Sequence, residues 1–104
     1  MYGLAVERNC YVYILGSRIG GTIYVGSTTD LIRRVSEHRA KAVPGLTSKY
    51  GVSRLVYFQV CDDLGQALLR ERQIKKWNRA WKVRLIEAKN PNWDDLYPAV
   101  AAWC

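Results

Sequence analysis

Two short runs of β-branched and aromatic residues, Tyr11-Val12-Tyr13-Ile14-Leu15 and Thr22-Ile23-Tyr24-Val25-Gly26, are separated only by Gly16-Ser17-Arg18-Ile19-Gly20-Gly21. A glycine-rich connection this short is too brief for a helical crossover, so the pattern predicts a β-hairpin. With residues 17–20 as the loop, Tyr13 and Tyr24 each lie three residues outside it and are expected to face each other across the strands. Tyr11 then shares the face of Tyr13.

Residues 24–38 continue as the end of a strand, a polar turn and the first half of a helix. Thr28, Thr29 or Asp30 can supply the side-chain oxygen that caps the helix start, and Leu31, Val35 and Ala42 recur at helical spacing. At about 100° per residue, His38 falls in the middle of that apolar stripe and Arg34 on its shoulder. Buried without partners, such groups are costly. Either they meet anions inside the fold, or the stripe opens onto something anionic.

The helix is expected to reach about Ala42, where Pro44-Gly45 ends it, and residues 43–52 form a polar loop. A third strand is expected over residues 54–61. Asp62 or Asp63 then caps a second helix from Leu64 to about Asn78, with Gln66 completing a capping box. A third helix begins at Arg79 or Ala80 and runs to about Lys89, halted by Asn90-Pro91-Asn92. Residues 93–104 hold a short helix packed on the body, and residues 1–9 read as a loosely held leader.

A length of 104 residues fits one domain, residues 1–104, with its core at about 10–90 and a tail at 91–104. Sixteen Lys and Arg against nine Asp and Glu leave a net charge of +7, which draws polyanions, nucleic acid foremost. Cys10, Cys61 and Cys104 are far apart and lack the spacing of zinc ligands. No charged leader precedes an apolar run, and no segment approaches the roughly 18 apolar residues of a membrane span. A reduced, soluble, cytoplasmic chain without a membrane partner is therefore expected.

The second helix repeats the anomaly of the first. Leu64, Ala67, Leu68 and Ile74 define its apolar face, and Glu71 projects near the centre. A carboxylate there needs a cation, either Lys75 one turn on or a bound metal. Arg70, Arg72, Lys75, Lys76, Arg79, Lys82 and Arg84 crowd the same region, interleaved with Trp77 and Trp81. Arg33, Arg34, Arg39, Lys41, Lys49 and Arg54 form a second concentration. Both suit a groove that tracks a phosphate backbone, with Arg33, Lys49, Lys75, Lys76, Arg79 and Lys82 as candidate substrate contacts. The tryptophans are expected in the core, because a small domain needs large apolar side chains.

With these residues in place, the chain resembles the GIY-YIG nuclease superfamily, most closely its small stand-alone bacterial members. The two name-giving motifs stand as Tyr11-Val12-Tyr13 and Tyr24-Val25-Gly26, with Tyr11 replacing the first glycine. Arg34 matches the family's arginine, His38 its histidine one turn later, and Glu71 its metal-binding glutamate. The resemblance implies an α+β fold, a three-stranded antiparallel sheet flanked by helices. It also implies cleavage of nucleic acid phosphodiesters with one divalent metal, Mg²⁺ or Mn²⁺, on Glu71.

On that resemblance Arg34 holds a nonbridging phosphate oxygen, Tyr13 takes a proton from the attacking water, and Tyr24 orients the water or the phosphate. His38 supports the phosphate or Tyr13. As a base near neutral pH, Tyr13 would need its pKa lowered by about three units, roughly 4 kcal/mol. The late asparagine that many members use has two candidates, Asn78 and Asn90. The expected activity is a metal-dependent endonuclease acting on DNA with weak sequence preference, in repair or recombination. The alternatives are a nucleic-acid-binding module without turnover and a structural partner in a larger complex.

Overall fold

The computed structural model describes residues 9–40 and 51–102. The elements in order are β1 (Cys10–Gly16), β2 (Ile23–Thr28), α1 (Leu31–Arg39), β3 (Arg54–Cys61), α2 (Leu64–Lys76), α3 (Arg79–Glu87) and α4 (Tyr97–Ala102). The leader at 1–8, the first helix's expected end at Ala42, the Pro44-Gly45 stop, Lys41, Lys49 and Cys104 all lie outside the described residues.

The three strands form an antiparallel sheet in the order β2-β1-β3. The central strand β1 is apolar on both sides and so requires cover on both. Val12 and Ile14 pack with Val25, Val56, Ala67, Ile74, Ile86 and Trp93 on the face covered by α2 and α3. Tyr13 and Leu15 point the other way, against Leu31 and Val35 of α1, Leu55, Val52 and Val100 of α4. The result is the expected α+β architecture, with helices on both faces.

The hairpin register differs from the expectation. Ser17 N–H donates to Thr22 O at 3.0 Å, and Ser17 Oγ accepts from Thr22 N–H at 3.0 Å, which closes the turn one pair beyond Gly16 and Ile23. Gly20, at φ 69°, supplies the left-handed residue this tight loop needs. Tyr24 therefore pairs with Leu15, and Tyr13 with Gly26. A two-residue slip preserves the side-chain face, so the two tyrosines remain diagonal neighbours. The slip also gives Gly26 a role: a Cβ there would stand 2.6 Å from Tyr13 Oη, so only glycine lets the phenol lie across β2.

Helix α1 is capped by Asp30, whose side chain accepts from Arg33 N–H, and it buries Leu31, Val35 and His38. In α2, Asp63 accepts from Gln66 N–H at 2.9 Å, and Gln66 Oε1 accepts from Asp62 N–H at 3.4 Å. This helix stops at Lys76 rather than near Asn78. Trp77 turns extended, and the Asn78 side chain instead caps α3 by accepting from Trp81 N–H at 2.9 Å.

The buried side of α2 is also narrower than expected. Ala67 and Ile74 are buried against the sheet, but Leu64 and Leu68, on the flank of the helix, are 44% and 47% exposed. Of the tryptophans, Trp93 is fully buried in the core while Trp81 is 51% exposed on α3.

Candidate active site

The free side of β2 is where the candidate groups meet. As the edge strand it presents Tyr24 toward α1 and Ser27 toward α2, so one strand serves both layers of helices. The rings of Tyr13, Tyr24 and His38 form a tilted cluster. Centroids are 6.3 Å apart for the tyrosine pair, 6.2 Å for Tyr13 and His38, and 5.3 Å for Tyr24 and His38.

Tyr13 is 1% exposed and His38 2%. Burial, with the neighbouring Tyr24, pushes the Tyr13 phenol up to about 12, against the pull of Arg34. This is opposite to the lowering that a free-standing base requires. Burial, reinforced by the Arg34 charge, lowers the His38 pKa below its ordinary value and keeps the ring neutral. Tyr13 Oη lies 3.3 Å from His38 Nε2. The donor in this bond follows from the ring tautomer: with the imidazole proton on Nδ1, the phenol donates to Nε2.

Arg34 reaches the same phenol and also donates to Glu37 at 3.1 Å, the larger reason its pKa rises. Glu37 binds Arg33 as well, at 3.3 Å, and these two contacts hold its carboxyl below the usual range. Both arginines and Glu37 line a polar cleft of about 380 Å³ with Ser27, Thr28, Thr29, Asp30 and Leu64. The cleft joins the end of β2 to the starts of α1 and α2.

Glu71 enters from α2 on the other side of the strand. Ser27 Oγ donates to its Oε1 at 2.5 Å, and Lys75 Nζ lies 2.5 Å from its Oε2. Lys75 Nζ also stands 6.0 Å from the centre of the Tyr24 ring. Contacts thus run without a break from Arg34 through Tyr13, His38, Tyr24 and Lys75 to Glu71. The Glu71 side chain is 17% exposed, so the carboxylate rims the core instead of sitting at its middle.

The donor set limits which cation Glu71 can take. Among the described residues no cluster of three or more His, Cys, Asp and Glu side chains exists, which leaves no protein cage of the zinc or calcium kind. Mg²⁺ and Mn²⁺ keep several waters and accept one or two carboxylates with substrate oxygens. Glu71 beside the Ser27 hydroxyl fits that mode, with Lys75 as the competing cation.

The other candidates are dispersed. Arg79 donates to Gly20 O at 2.8 Å and Gly21 O at 2.6 Å, fastening the hairpin to α3 rather than facing a phosphate. Lys76 and Lys82 lie outside the cluster, exposed and half-buried respectively. Asn78 serves as the α3 cap. Asn90 is buried: its Nδ2 donates to Val56 O and Asp94 O, and its Oδ1 accepts from Asp94 N–H. Both asparagines hold backbone and neither joins the cluster. Ser27, Glu37 and Gly26 are participants that sequence reasoning missed. The only signal for Ser27 and Gly26 was their place in and directly after the second motif.

A small antiparallel sheet with tyrosines, an arginine and a helix-borne glutamate at one edge is the arrangement that the resemblance to the GIY-YIG nucleases implies. The family model described as the GIY-YIG catalytic domain matches residues 9–84, and the chain belongs to the GIY-YIG family. The UPF0213 protein of Syntrophus aciditrophicus is 40% identical over 85 residues, covering 78% of this chain and 92% of that one. The UPF0213 protein DP2720 of Desulfotalea psychrophila is 34% identical over 91 residues, 84% of this chain and 79% of that one. The solution structure of the UPF0213 protein BH0048 from Bacillus halodurans superposes with a TM-score of 0.52 at 31% identity, covering 84% of this chain and 92% of that one.

Proposed function

We propose that this chain is a metal-dependent endonuclease that hydrolyses phosphodiester bonds of DNA with weak sequence preference, in a repair or recombination setting. The observation that supports it most is the unbroken run of contacts from Arg34 to Glu71 across the edge of β2. A metal on Glu71, when bound, polarises the scissile phosphate and offsets charge on the leaving oxygen. Arg34 exchanges Glu37 for a nonbridging oxygen of the substrate and stabilises the charge that grows there.

Tyr13 is buried behind Tyr24, so Tyr24 is the phenol presented to substrate. In this reading Tyr24 holds the attacking water and takes its proton as general base, with the Lys75 ammonium 6.0 Å from its ring centre adding positive charge nearby. Water oxygen bonds to phosphorus as the bond from phosphorus to the departing sugar oxygen breaks. Tyr13, fixed by His38, sets the position of Tyr24. The two tyrosines thereby exchange the roles that the resemblance implied.

The test is nicking of supercoiled plasmid in Mg²⁺, beside a panel of duplex, flap, junction and single-stranded DNA. Glu71→Gln and Arg34→Ala are each expected to reduce cleavage by at least about a hundredfold while circular dichroism stays native. Unchanged nicking by either variant rejects the reading. Salt-sensitive binding with no metal-dependent product is the result that the binding-module alternative requires; the Lys75 cation on Glu71 is the observation in its favour.

A further inference from the structure

At the junction of α2 and α3, sharing no lining residue with the cleft, Trp77, Trp81, Arg84, Leu85 and Ala88 line an apolar groove of about 340 Å³. Trp77 and Trp81 meet edge to face, centroids 6.1 Å apart at 77°, and Trp77 is steadied by the Arg70 guanidinium 5.1 Å from its ring centre. Trp81 is nevertheless 51% exposed, an open indole at the mouth of the groove.

The charge around the groove limits what can cover it. Residues 64–89 carry eight Lys and Arg against two Glu, six of the chain's seven net positive charges. Among the described residues, Arg72, Lys76, Lys82 and Arg84 have no ion-pair partner. A second copy would bring the same positive charge against itself. A duplex satisfies the charge but keeps its base faces stacked inside. An unpaired strand, unlike either, offers both phosphates and open aromatic faces.

We propose that the Trp77–Trp81 groove binds an unpaired nucleic-acid strand, a base stacking on the Trp81 indole while Lys82, Arg84 and Lys76 hold the flanking phosphates. Trp77 follows Glu71 by six residues, about 9 Å along the helix axis, so a strand that passes Glu71 can reach the groove around the end of α2. The site thus suits a substrate with an unpaired arm. The proposal takes from the nuclease reading only that the ligand is nucleic acid.

The experiment measures binding without cleavage. Fluorescein-labelled oligo(dT), and a duplex of the same length, are titrated by anisotropy into the full chain carrying Glu71→Gln, with no divalent metal. Trp81→Ala is expected to weaken the single strand about tenfold relative to the duplex, whereas Trp81→Phe, which keeps an aromatic face, stays within about twofold of the parent. Equal weakening of both ligands, or of neither, overturns the proposal.

Should Trp81→Ala lose its native circular dichroism, indole fluorescence decides instead. Quenching by oligo(dT) that is greater in the parent than in Trp81→Phe supports the platform, and equal quenching overturns it. If Glu71→Gln still cuts but single-strand binding depends on Trp81, the catalytic reading fails and this site stands. If Glu71→Gln is inert and Trp81 makes no difference, the reverse holds.

Discussion

Burial removes the Tyr13 phenol from water, and the resulting rise to about 12 fixes how this residue answers to pH. Unfolded, a tyrosine titrates near 10, so between about 10 and 12 the unfolded chain gives up a proton that the folded one retains. Tyr13 therefore contributes stability that is fully present below about pH 10 and is lost as pH rises toward 12, on the order of 3 kcal/mol in all. Tyr13→Phe has no proton to lose. Its melting temperature, compared with the parent's from pH 9 to pH 12, is expected to fall less steeply; parallel curves would mean that the phenol titrates as if exposed. Which residues gather at the edge of β2 was legible in the sequence at this scale, because helical phase alone puts His38 among apolar neighbours, and motif spacing picks out Tyr24, Arg34 and Glu71. It did not make the environment legible. The direction of the Tyr13 shift depends on which residues close over it, and the real partners of Arg39 and Arg79 are Asp95 and the hairpin carbonyls, 56 and 58–59 residues away in the chain.

Among the elements, the turn between α3 and α4 joins both layers of the core. Asn90 donates to Val56 O at 3.1 Å and to Asp94 O at 2.9 Å, and accepts from Asp94 N–H at 2.9 Å. These bonds hold Trp93 at φ 56°, a left-handed conformation costly for a bulky residue, and seat its ring against Gly16. Asn90→Ala leaves buried backbone groups unpartnered and is expected to cost on the order of 3 kcal/mol, lowering the melting temperature by at least about 10 °C. A folded Asn90→Ala with its melting temperature intact but cleavage abolished would instead give this asparagine the catalytic part that the resemblance implied. The order of strands and helices was legible because period-two and period-3.6 patterns are clean here. The hairpin register was not, since the Ser17 and Thr22 bonds that set it are local chemistry with no periodic signature. The buried side of α2 was hidden for a related reason: Leu64 and Leu68 fit the helical stripe, but how much of that stripe is covered depends on how the helix packs on the sheet, and both leucines are left exposed.

For the molecule as a whole, affinity for nucleic acid follows from which positive charges are already neutralised. Arg39 is paired with Asp95, and Arg33 and Arg34 share Glu37. Lys76 and Lys82, on α2 and α3, have no such partner among the described residues. A cation that meets a phosphate releases a condensed counterion, so each one lost from a duplex interface flattens the plot of log affinity against log salt by about 0.9. Replacing Lys76 and Lys82 together by alanine is expected to reduce that slope by about 1.8, with weaker binding at low salt and convergence with the parent at high salt. Arg39→Gln removes an equal unit of charge from a residue held by Asp95 and is expected to leave the slope unaltered. The measurement is anisotropy of a labelled duplex across a salt series, using the Glu71→Gln background to prevent cutting. If Arg39→Gln flattens the slope as much per charge as the double lysine variant does, net charge alone governs binding, and the basic face of α2 and α3 loses its standing as the nucleic-acid surface.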